Sequence, residues 1–338
     1  MNYIRNNLYK IKKRILSKTI ILCYHRVCDF LSDPYDISIN KENFIKQINW
    51  IKEKYNIIDL DELSLCFKND RFPARKSIIL TFDDGYYSTI DTIRLLEELE
   101  VPATFFICTP NFKSNYFYWD ILNNILIENK VINDDQIKWI MQLGQIINLD
   151  FKPEKIIDND KYQKGLLWKI NDSDIPSKRC QILKKISEVL EFENPYLPSS
   201  LLKRIYDNNF NISTDKQIKP NLSMLKSNYC DIGGHTMNHF SLSSLDNKMI
   251  NKEILYNKNE LENQLDHRIK YFAYPFGSKR HYNQYSVKIV KENFKLAVSN
   301  FPGVIYKDSN PYELPRCLVR NWEINFFKNK INNFFANK

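Results

Sequence analysis

The chain has 338 residues, of which 43% are hydrophobic and 14% aromatic, and its formal net charge is +9. This content of core-forming side chains excludes a disordered or collagenous protein and suffices for one large domain or two smaller ones. The seven cysteines occur singly, without a CxxC pair, which excludes a thiolate zinc motif and favours a reducing compartment.

The N-terminal segment, 1–18, combines a cluster of basic residues with apolar side chains at positions 4, 8, 11 and 15. This spacing predicts a basic helix that is either solvated or lies on an anionic membrane surface. The apolar run that follows, 19–24, is too short for a signal-peptide core, and no run approaches the roughly 18 residues of a membrane span. We therefore expect a cytoplasmic protein, with an anionic membrane surface as one candidate partner.

Short apolar runs then alternate with helical patterns. Strands are predicted at 19–25, 77–82, 103–108, 229–234, 270–276, 295–299 and 314–319, and helices at 41–54, 86–100, 243–266, 282–293 and 321–335. Such alternation indicates parallel strands joined by crossovers, in an α/β barrel or an open doubly wound sheet. About seven strands with polar residues at their ends favour a distorted (β/α) barrel, whose chemistry would lie at the C-terminal strand ends.

A long segment, 111–222, interrupts this alternation. Helical patterns at 118–129, 134–148, 176–190 and 198–208 are separated by Asn-, Asp- and Pro-rich breaks. The segment is too long for a loop, so we predict a helical insertion subdomain within a barrel made of 19–110 and 223–338. It leaves and rejoins the barrel near the strand ends, so we expect it to form a wall over the barrel mouth.

The run TFDDG at 81–85 ends a predicted strand in two adjacent carboxylates and a glycine. Adjacent carboxylates repel each other unless a cation or a proton lies between them, and a glycine turn can aim both into one site. The alternative is a solvated turn in which an aspartate caps the next helix. Asp83 and Asp84 are therefore candidate functional residues.

A second signal is the pair His235 and His239, which follows another predicted strand. Spacing of i, i+4 puts two imidazoles on one face of a helical turn, close enough to share a metal ion. A purely structural role for the pair stays open. A carboxylate from Asp83 or Asp84 would complete a three-ligand set that leaves one position for water, the pattern of catalytic metal sites.

A third strand end carries the run FAYPFG at 272–277, which alone could be a barrel strand and its turn. In order along the chain, TFDDG, HTMNH and FAYPFG resemble the three motifs of the polysaccharide deacetylases, the NodB-homology carbohydrate esterases. The first two agree with the family patterns T-F-D-D-G and H-[ST]-x-x-H at every position. The resemblance covers 19–110 and 223–320 and leaves the helical insertion outside it.

The resemblance implies a divalent metal, most often zinc, bound by Asp84, His235 and His239. It also implies that Asp83 is the general base. The oxyanion would be held by the metal and by a backbone N–H, for which Phe276 is the family-like candidate. Tyr274 is a further candidate for contact with the substrate.

Two family features are missing from the expected positions. The third-motif arginine aligns with Ala273, and Arg316 is the candidate replacement. The late Leu-x-His that supplies a general acid is also absent, but the YH dipeptide at 24–25 is similar to an N-terminal motif in a circularly permuted branch that deacetylates poly-N-acetylglucosamine. His25 is therefore the candidate acid, with a core histidine bonded to a backbone carbonyl as the alternative. We expect His267 and His281 at the surface.

Together the motifs predict a metal-dependent amide hydrolase that removes an N-acetyl group from an amino sugar of a glycan or glycan precursor. A lipid-linked or nucleotide-linked precursor fits a cytoplasmic protein with a basic N-terminus. One alternative is an N-deformylase or other small-acyl deacylase, and another is a catalytically inactive sugar-binding relative. Nucleic-acid binding is not expected, because only the net charge supports it.

Overall fold

The computed structural model describes residues 18–73, 75–110, 116–193, 195, 216–218 and 222–336. The predicted basic helix at 1–18, apart from Lys18, and the predicted helix at 198–208 lie outside the described residues. Within these ranges, no helix is long and apolar enough to cross a membrane.

A parallel sheet forms the centre of the fold. The strands are β1 (Thr19–Tyr24), β2 (Arg26–Val27), β3 (Ser38–Ile39), β4 (Asn56–Ile57), β5 (Ser77–Phe82), β6 (Ala103–Ile107), β7 (Cys230–Gly234), β8 (Tyr271–Ala273), β9 (Leu296–Val298) and β10 (Cys317–Leu318). Seven of them follow the order β10-β1-β5-β6-β7-β8-β9, while β4 pairs with the start of β5 and β2 pairs with β3.

The sheet is curled into a half-barrel. β1 pairs with β5 along all six residues, and both strands are fully buried, as expected for parallel strands covered on both faces. At the β9 edge of the sheet, Leu314 hydrogen-bonds Ala297 of β9 and Ser299 just after it. Three residues later, Cys317 pairs with Leu22 of β1, so this short segment runs from one edge of the sheet to the other. The prediction of a distorted (β/α) barrel of about seven strands is confirmed in this form.

Helices connect and cover the strands. They are α1 (Lys41–Lys54), α2 (Leu60–Asn69), α3 (Thr89–Glu98), α4 (Tyr118–Asn123), α5 (Asp134–Ile146), α6 (Asn159–Leu167), α7 (Lys178–Glu193), α8 (Asn247–Leu265), α9 (Gln284–Asn293) and α10 (Ile324–Ala336). Asn40, Asp246 and Asn283 precede α1, α8 and α9, and each accepts a hydrogen bond from the backbone N–H three residues later. These side-chain caps fix where the helices begin.

The core is divided by the alternation of side chains along the strands. Ile20 and Leu22 belong to the large cluster that includes the covering helices, whereas Ile21 packs with Ile79 and Phe106 in a smaller cluster. Since neighbouring strand residues point to opposite faces, the smaller cluster fills the inside of the half-barrel.

The segment between β6 and β7 has a hydrophobic cluster of its own. Trp119 and Trp168 are buried there with apolar side chains of α4, α5 and α7. Arg26, in the small sheet of β2 and β3, contacts this segment, because its buried guanidinium lies 2.7 Å from Asp120 of α4. The division of the chain at 111 and 222 remains a proposal, which this separate cluster supports.

The structure differs from the predicted helices in two respects. The prediction lacks α2 and α6, two short helices of ten and nine residues that each begin at an aspartate cap. The predicted helix at 118–129 is α4 continued by a π-helical turn, Asn124–Glu128. The N–H of Asn129 there bonds to the carbonyl five residues back, at Asn124, rather than four.

The close approach of β6 and β7 gives a test of the fold. A Cβ added at Gly233 would lie 2.4 Å from Cδ1 of Phe106 and 3.0 Å from the Tyr271 carbonyl oxygen. We expect Gly233→Ala to lower the free energy of unfolding by about 1–3 kcal/mol through overpacking. The control is Gly165→Ala in α6, where the new Cβ would meet, among the described residues, only Cys180 Sγ, at 3.7 Å.

Because glycine costs conformational entropy in a helix, Gly165→Ala should be neutral or stabilising by up to about 1 kcal/mol. Denaturant unfolding of both variants measures the difference. Equal stabilities of the two variants would contradict the described packing.

Candidate metal and catalytic site

The site begins at the end of β5, where Asp83 and Asp84 point in different directions. The Asp83 N–H donates to the Tyr24 carbonyl at 3.0 Å, which extends the pairing of β1 and β5 by one residue. Asp84 then has a φ of 79°, left-handed backbone that costs a non-glycine residue on the order of 1–2 kcal/mol. This turn directs the Asp83 carboxylate to Arg316 and the Asp84 carboxylate to the histidine pair.

Asp84, His235 and His239 converge on one point. Oδ1 of Asp84 lies 3.4 Å from Nε2 of His235 and 3.2 Å from Nε2 of His239. The three ligand atoms lie within 4.8 Å of one another, and all three residues are buried. His235 directly follows β7, and His239 lies in the next turn with a φ of 56°.

The chemistry of these groups fits a divalent cation. Nδ1 of His235 lies 2.8 Å from the Ala273 carbonyl, so this nitrogen carries the proton and Nε2 presents a lone pair to Asp84. Oδ1 of Asp84 is buried and forms no hydrogen bond with any described residue. Lone pairs converging at this distance repel one another unless a cation lies between them, and zinc accepts a set of two histidines and one carboxylate.

Electrostatics favours the protonation states that bind a metal. Burial alone would raise the pKa of Asp84, but imidazoles of His235 and His239 that carry a proton toward it outweigh burial and, where no cation lies between them, hold the pKa well below its ordinary value. Burial is the largest influence on His239 and lowers its pKa, against the attraction of Asp84. Ionised carboxylate and neutral imidazole are the forms that act as ligands.

Asp83 is paired with a buried arginine. Nη1 and Nη2 of Arg316 donate to Oδ1 and Oδ2 of Asp83 at 2.7 and 2.6 Å, and Nε donates to the Ser299 carbonyl at 2.6 Å. Burial alone would raise the pKa of Asp83, but the charge of Arg316 and the nearby His235 outweigh it and lower the pKa. The structure thus places the guanidinium of Arg316 on Asp83, as expected for a replacement of the missing third-motif arginine. The role of Arg316 in a reaction remains a proposal.

His25 lies beside the same carboxylates. It lines one cavity with Asp83 and Asp84, and its ligand atom lies within 4.8 Å of both an Asp83 oxygen and Cys23 Sγ. Its Nδ1 is buried and has no hydrogen-bond partner among the described residues, unlike a core histidine bonded to a backbone carbonyl. Burial lowers the pKa of His25, so the ring is mainly neutral near pH 7.

The third motif forms a strained turn against the histidine pair. Phe276 and Gly277 have φ values of 57° and 69°. A Cβ at Gly277 would lie 2.6 Å from the Asn300 backbone nitrogen, so the turn requires glycine. The Phe276 ring packs on the His239 ring with centroids 4.8 Å apart.

Tyr274 is not among the residues that line the cavity, so the structure gives no support to the expectation that it contacts the substrate. Its hydroxyl donates to the Tyr312 carbonyl at 3.1 Å, and its ring stacks on Tyr282 at 4.2 Å. The preceding residue, Ala273, faces the inside of the half-barrel, so strand alternation turns Tyr274 toward the covering helices.

A cavity of about 570 Å³ lies over these groups. Side chains of the insertion line its wall, among them Tyr118, Trp119, Lys184, Glu188 and Glu191. Lys184, Glu188 and Glu191 were not predicted as site residues, because nothing in their local sequence distinguishes them from ordinary helix positions. The insertion therefore lies at the mouth of the half-barrel. This is the position expected from the strand ends between which it is inserted.

Helix α7 is attached on both sides of this mouth. The Tyr35 hydroxyl and Ser187 Oγ are 2.8 Å apart, and Nε2 of His281 lies 2.5 Å from a Glu191 oxygen. The predicted surface position of His281 is therefore wrong, since its side chain is buried and lines the cavity. Its partner lies 90 residues earlier in the chain, so the polar local sequence carried no signal of burial. His267, in contrast, is half exposed as predicted.

Comparison with known proteins finds the same family in a family model and in a curated relative. The family model for polysaccharide deacetylase matches residues 70–144 and 204–294. The Bacillus subtilis polysaccharide deacetylase homologue YxkH is 29% identical over 99 residues, which are 29% of this chain and 34% of that protein. The chain thus spans about a third of the length of this curated relative. Residues 70–144 and 204–294 of the chain are thus similar to a polysaccharide deacetylase domain.

Solved structures of the same fold are also similar. The Streptococcus pyogenes deacetylase PplD, in complex with acetate, is 16% identical with a TM-score of 0.52, covering 94% of this chain and 99% of that one. IcaB from Ammonifex degensii is 15% identical with a TM-score of 0.53, covering 95% of this chain and 98% of that one. At these identities the likeness shows the fold alone.

Because Asp83 and Asp84 face different partners, the assignment of metal ligands can be tested by measuring bound metal in variants. His235→Ala and His239→Ala each remove a ligand, so we expect both variants to lose bound metal after zinc loading and gel filtration. Asp83→Asn should keep its metal, because Asp83 faces Arg316 and not the histidines. Stoichiometric zinc in His235→Ala would contradict the assignment of ligands.

Proposed function

We propose that the protein is a metal-dependent amide hydrolase that removes an N-acetyl group from an amino sugar of a glycan or glycan precursor. The observation that carries this proposal is the buried Asp83–Arg316 pair beside the triad Asp84, His235 and His239, on the floor of an open cavity. The match of residues 70–144 and 204–294 to the polysaccharide deacetylase family model supports it.

Asp83 is the group placed to accept a proton from the attacking water. A zinc ion held by Asp84, His235 and His239 would supply a water activated near neutral pH and a Lewis acid for the amide carbonyl. The pKa of Asp83 is below its ordinary value, so this residue is ionised near pH 7. Arg316 takes one lone pair on each carboxylate oxygen, which leaves others free for the water.

His25 is the group proposed to protonate the leaving nitrogen. In the overall reaction the water oxygen bonds to the acyl carbon, the C–N bond breaks, and the nitrogen takes up a proton to leave as an amine. His25 borders the same cavity and lies near Asp83, so a proton taken up by Asp83 has a short path to the leaving group. The neutral imidazole can relay that proton.

The backbone N–H of Phe276 is the proposed donor to the oxyanion, because its turn packs directly on His239. The cavity wall combines the aromatic rings of Tyr118 and Trp119 with the charged side chains of α7, a mixture suited to a sugar with apolar faces and many hydroxyls. That the substrate is lipid-linked and that the protein binds a membrane surface are still only predictions. Both rest on the basic N-terminal segment, which lies outside the described residues.

Acetate release tests the proposed function. We expect the zinc-loaded protein to release acetate from N-acetylglucosamine oligomers and the chelator-treated protein to release none, with Asp83→Asn as the inactive control. Release of formate from an N-formyl sugar without acetate release would instead favour the small-acyl alternative. Neither product from zinc-loaded protein would contradict hydrolysis and favour the sugar-binding alternative.

The role of His25 has a separate test. His25→Ala should keep its zinc and fold while kcat falls about 10²–10⁴-fold, the usual contribution of a positioned acid. His267→Ala is the matched control, because His267 is half exposed and pairs with Asp231 away from the cavity. A kcat near that of the wild type in His25→Ala would reject the assignment.

A further inference from the structure

The turn that carries the metal-binding histidines is not regular helix. Thr236 and His239 have φ values of 65° and 56°, and the Thr236 hydroxyl accepts a hydrogen bond from the His239 N–H at 3.0 Å. Left-handed residues of this kind cost free energy and persist only where the surroundings impose them. The relative position of the two imidazoles therefore depends on what holds this turn.

Glu253 of α8 holds the turn from beneath. One carboxylate oxygen accepts the Asn238 backbone N–H at 2.7 Å, and the other accepts the Asn238 side-chain amide, also at 2.7 Å. The Glu253 carbonyl accepts the Met237 N–H at 3.0 Å. Glu253 thus accepts three hydrogen bonds from the turn.

Asn257, one helical turn further along α8, holds the first histidine. Its Oδ1 accepts the His235 backbone N–H at 3.0 Å, while its Nδ2 donates to the Ile107 carbonyl and the Thr109 hydroxyl, each at 3.0 Å. Residues four apart on a helix lie on one face, so Glu253 and Asn257 form a single polar support under the turn.

Burying the Glu253 carboxylate costs desolvation free energy, so a side chain that only filled space here would be apolar. The Glu253 side chain is 2% exposed, and within the described ranges it forms no ion pair. An apolar side chain would avoid the desolvation of a carboxylate but would leave the Asn238 donors without an acceptor.

We propose that Glu253 is a positioning residue for the metal site, which sets the separation of His235 and His239 through its two hydrogen bonds to Asn238. The inference rests on the proposed function, because it concerns the same metal-binding pair. Groups that orient metal ligands in this way typically contribute about 10–100-fold to metal affinity.

The test exchanges hydrogen-bonding partners. In Glu253→Gln the new amide group faces the Asn238 amide, donor against donor, so we expect the affinity for Zn²⁺ to fall about 10–100-fold. Asn238→Asp alone sets two carboxylates against each other and should also weaken binding. The double variant Glu253→Gln with Asn238→Asp restores both bonds: the amide oxygen at position 253 accepts the backbone N–H, and the side-chain bond runs in the reversed direction. Its affinity should return to within a few-fold of the wild type.

The measurements use the full chain freed of metal and titrated with Zn²⁺ alone, and with Co²⁺ for the visible spectrum of the site. Glu260→Gln is the control, since it removes the same charge from a partly exposed position of α8 that does not contact the histidine turn. Asn238→Ala, at a partly buried loop position, serves if Glu253→Gln fails to fold, and it should weaken Zn²⁺ binding and alter the Co²⁺ spectrum. Chemical unfolding of metal-free variants separates metal affinity from stability.

Wild-type affinity in Glu253→Gln, or no recovery in the double variant, would overturn the proposal. A wild-type chain that binds no Zn²⁺ would overturn it together with the metal dependence of the proposed function. Tight Zn²⁺ binding that depends on Glu253, without acetate release from any N-acetyl sugar, would support the positioning role and count against the proposed function only.

Discussion

The ion pair of Arg316 and Asp83 is the interaction on which the site depends. Both charges are almost fully buried, and removal of one partner from such a pair typically costs about 3–5 kcal/mol because the other remains buried without a counter-charge. The guanidinium also hydrogen-bonds the Thr81 hydroxyl in β5 and the Ser299 carbonyl beside β9. Arg316 directly precedes the edge strand β10, and it can reach all three groups because the sheet curls and brings its β9 edge near β10 and β5.

The same pair explains how two adjacent carboxylates coexist at the end of β5. Asp83 has a permanent cation as partner, whereas Asp84 faces two imidazoles that suit a metal ion. The left-handed backbone at Asp84 separates the two carboxylates and removes much of their mutual repulsion. Two residues that look equivalent in sequence therefore have different surroundings and can take different roles.

The strands and the three motifs could be predicted because their signals are local. Buried parallel strands appear as continuous apolar runs, and polar residues at their ends gather at one rim of a barrel. His281 could not be placed from the sequence, since its burial depends on Glu191 of the insertion. Asn257 lies on the buried stripe of α8 that also contains Ile250, Ile254 and Leu261, and this polar interruption was the available signal for the support under the histidine turn.

The chain supplies the parts of its site in a fixed order during synthesis. All three proposed metal ligands precede residue 240, whereas Arg316 is made 77 residues after His239. At about 5–20 residues per second, this interval lasts roughly 4 to 15 s, and β10, which places Arg316, pairs with β1 at the other end of the chain. A nascent chain therefore contains every group needed to bind metal before Asp83 gains its counter-charge.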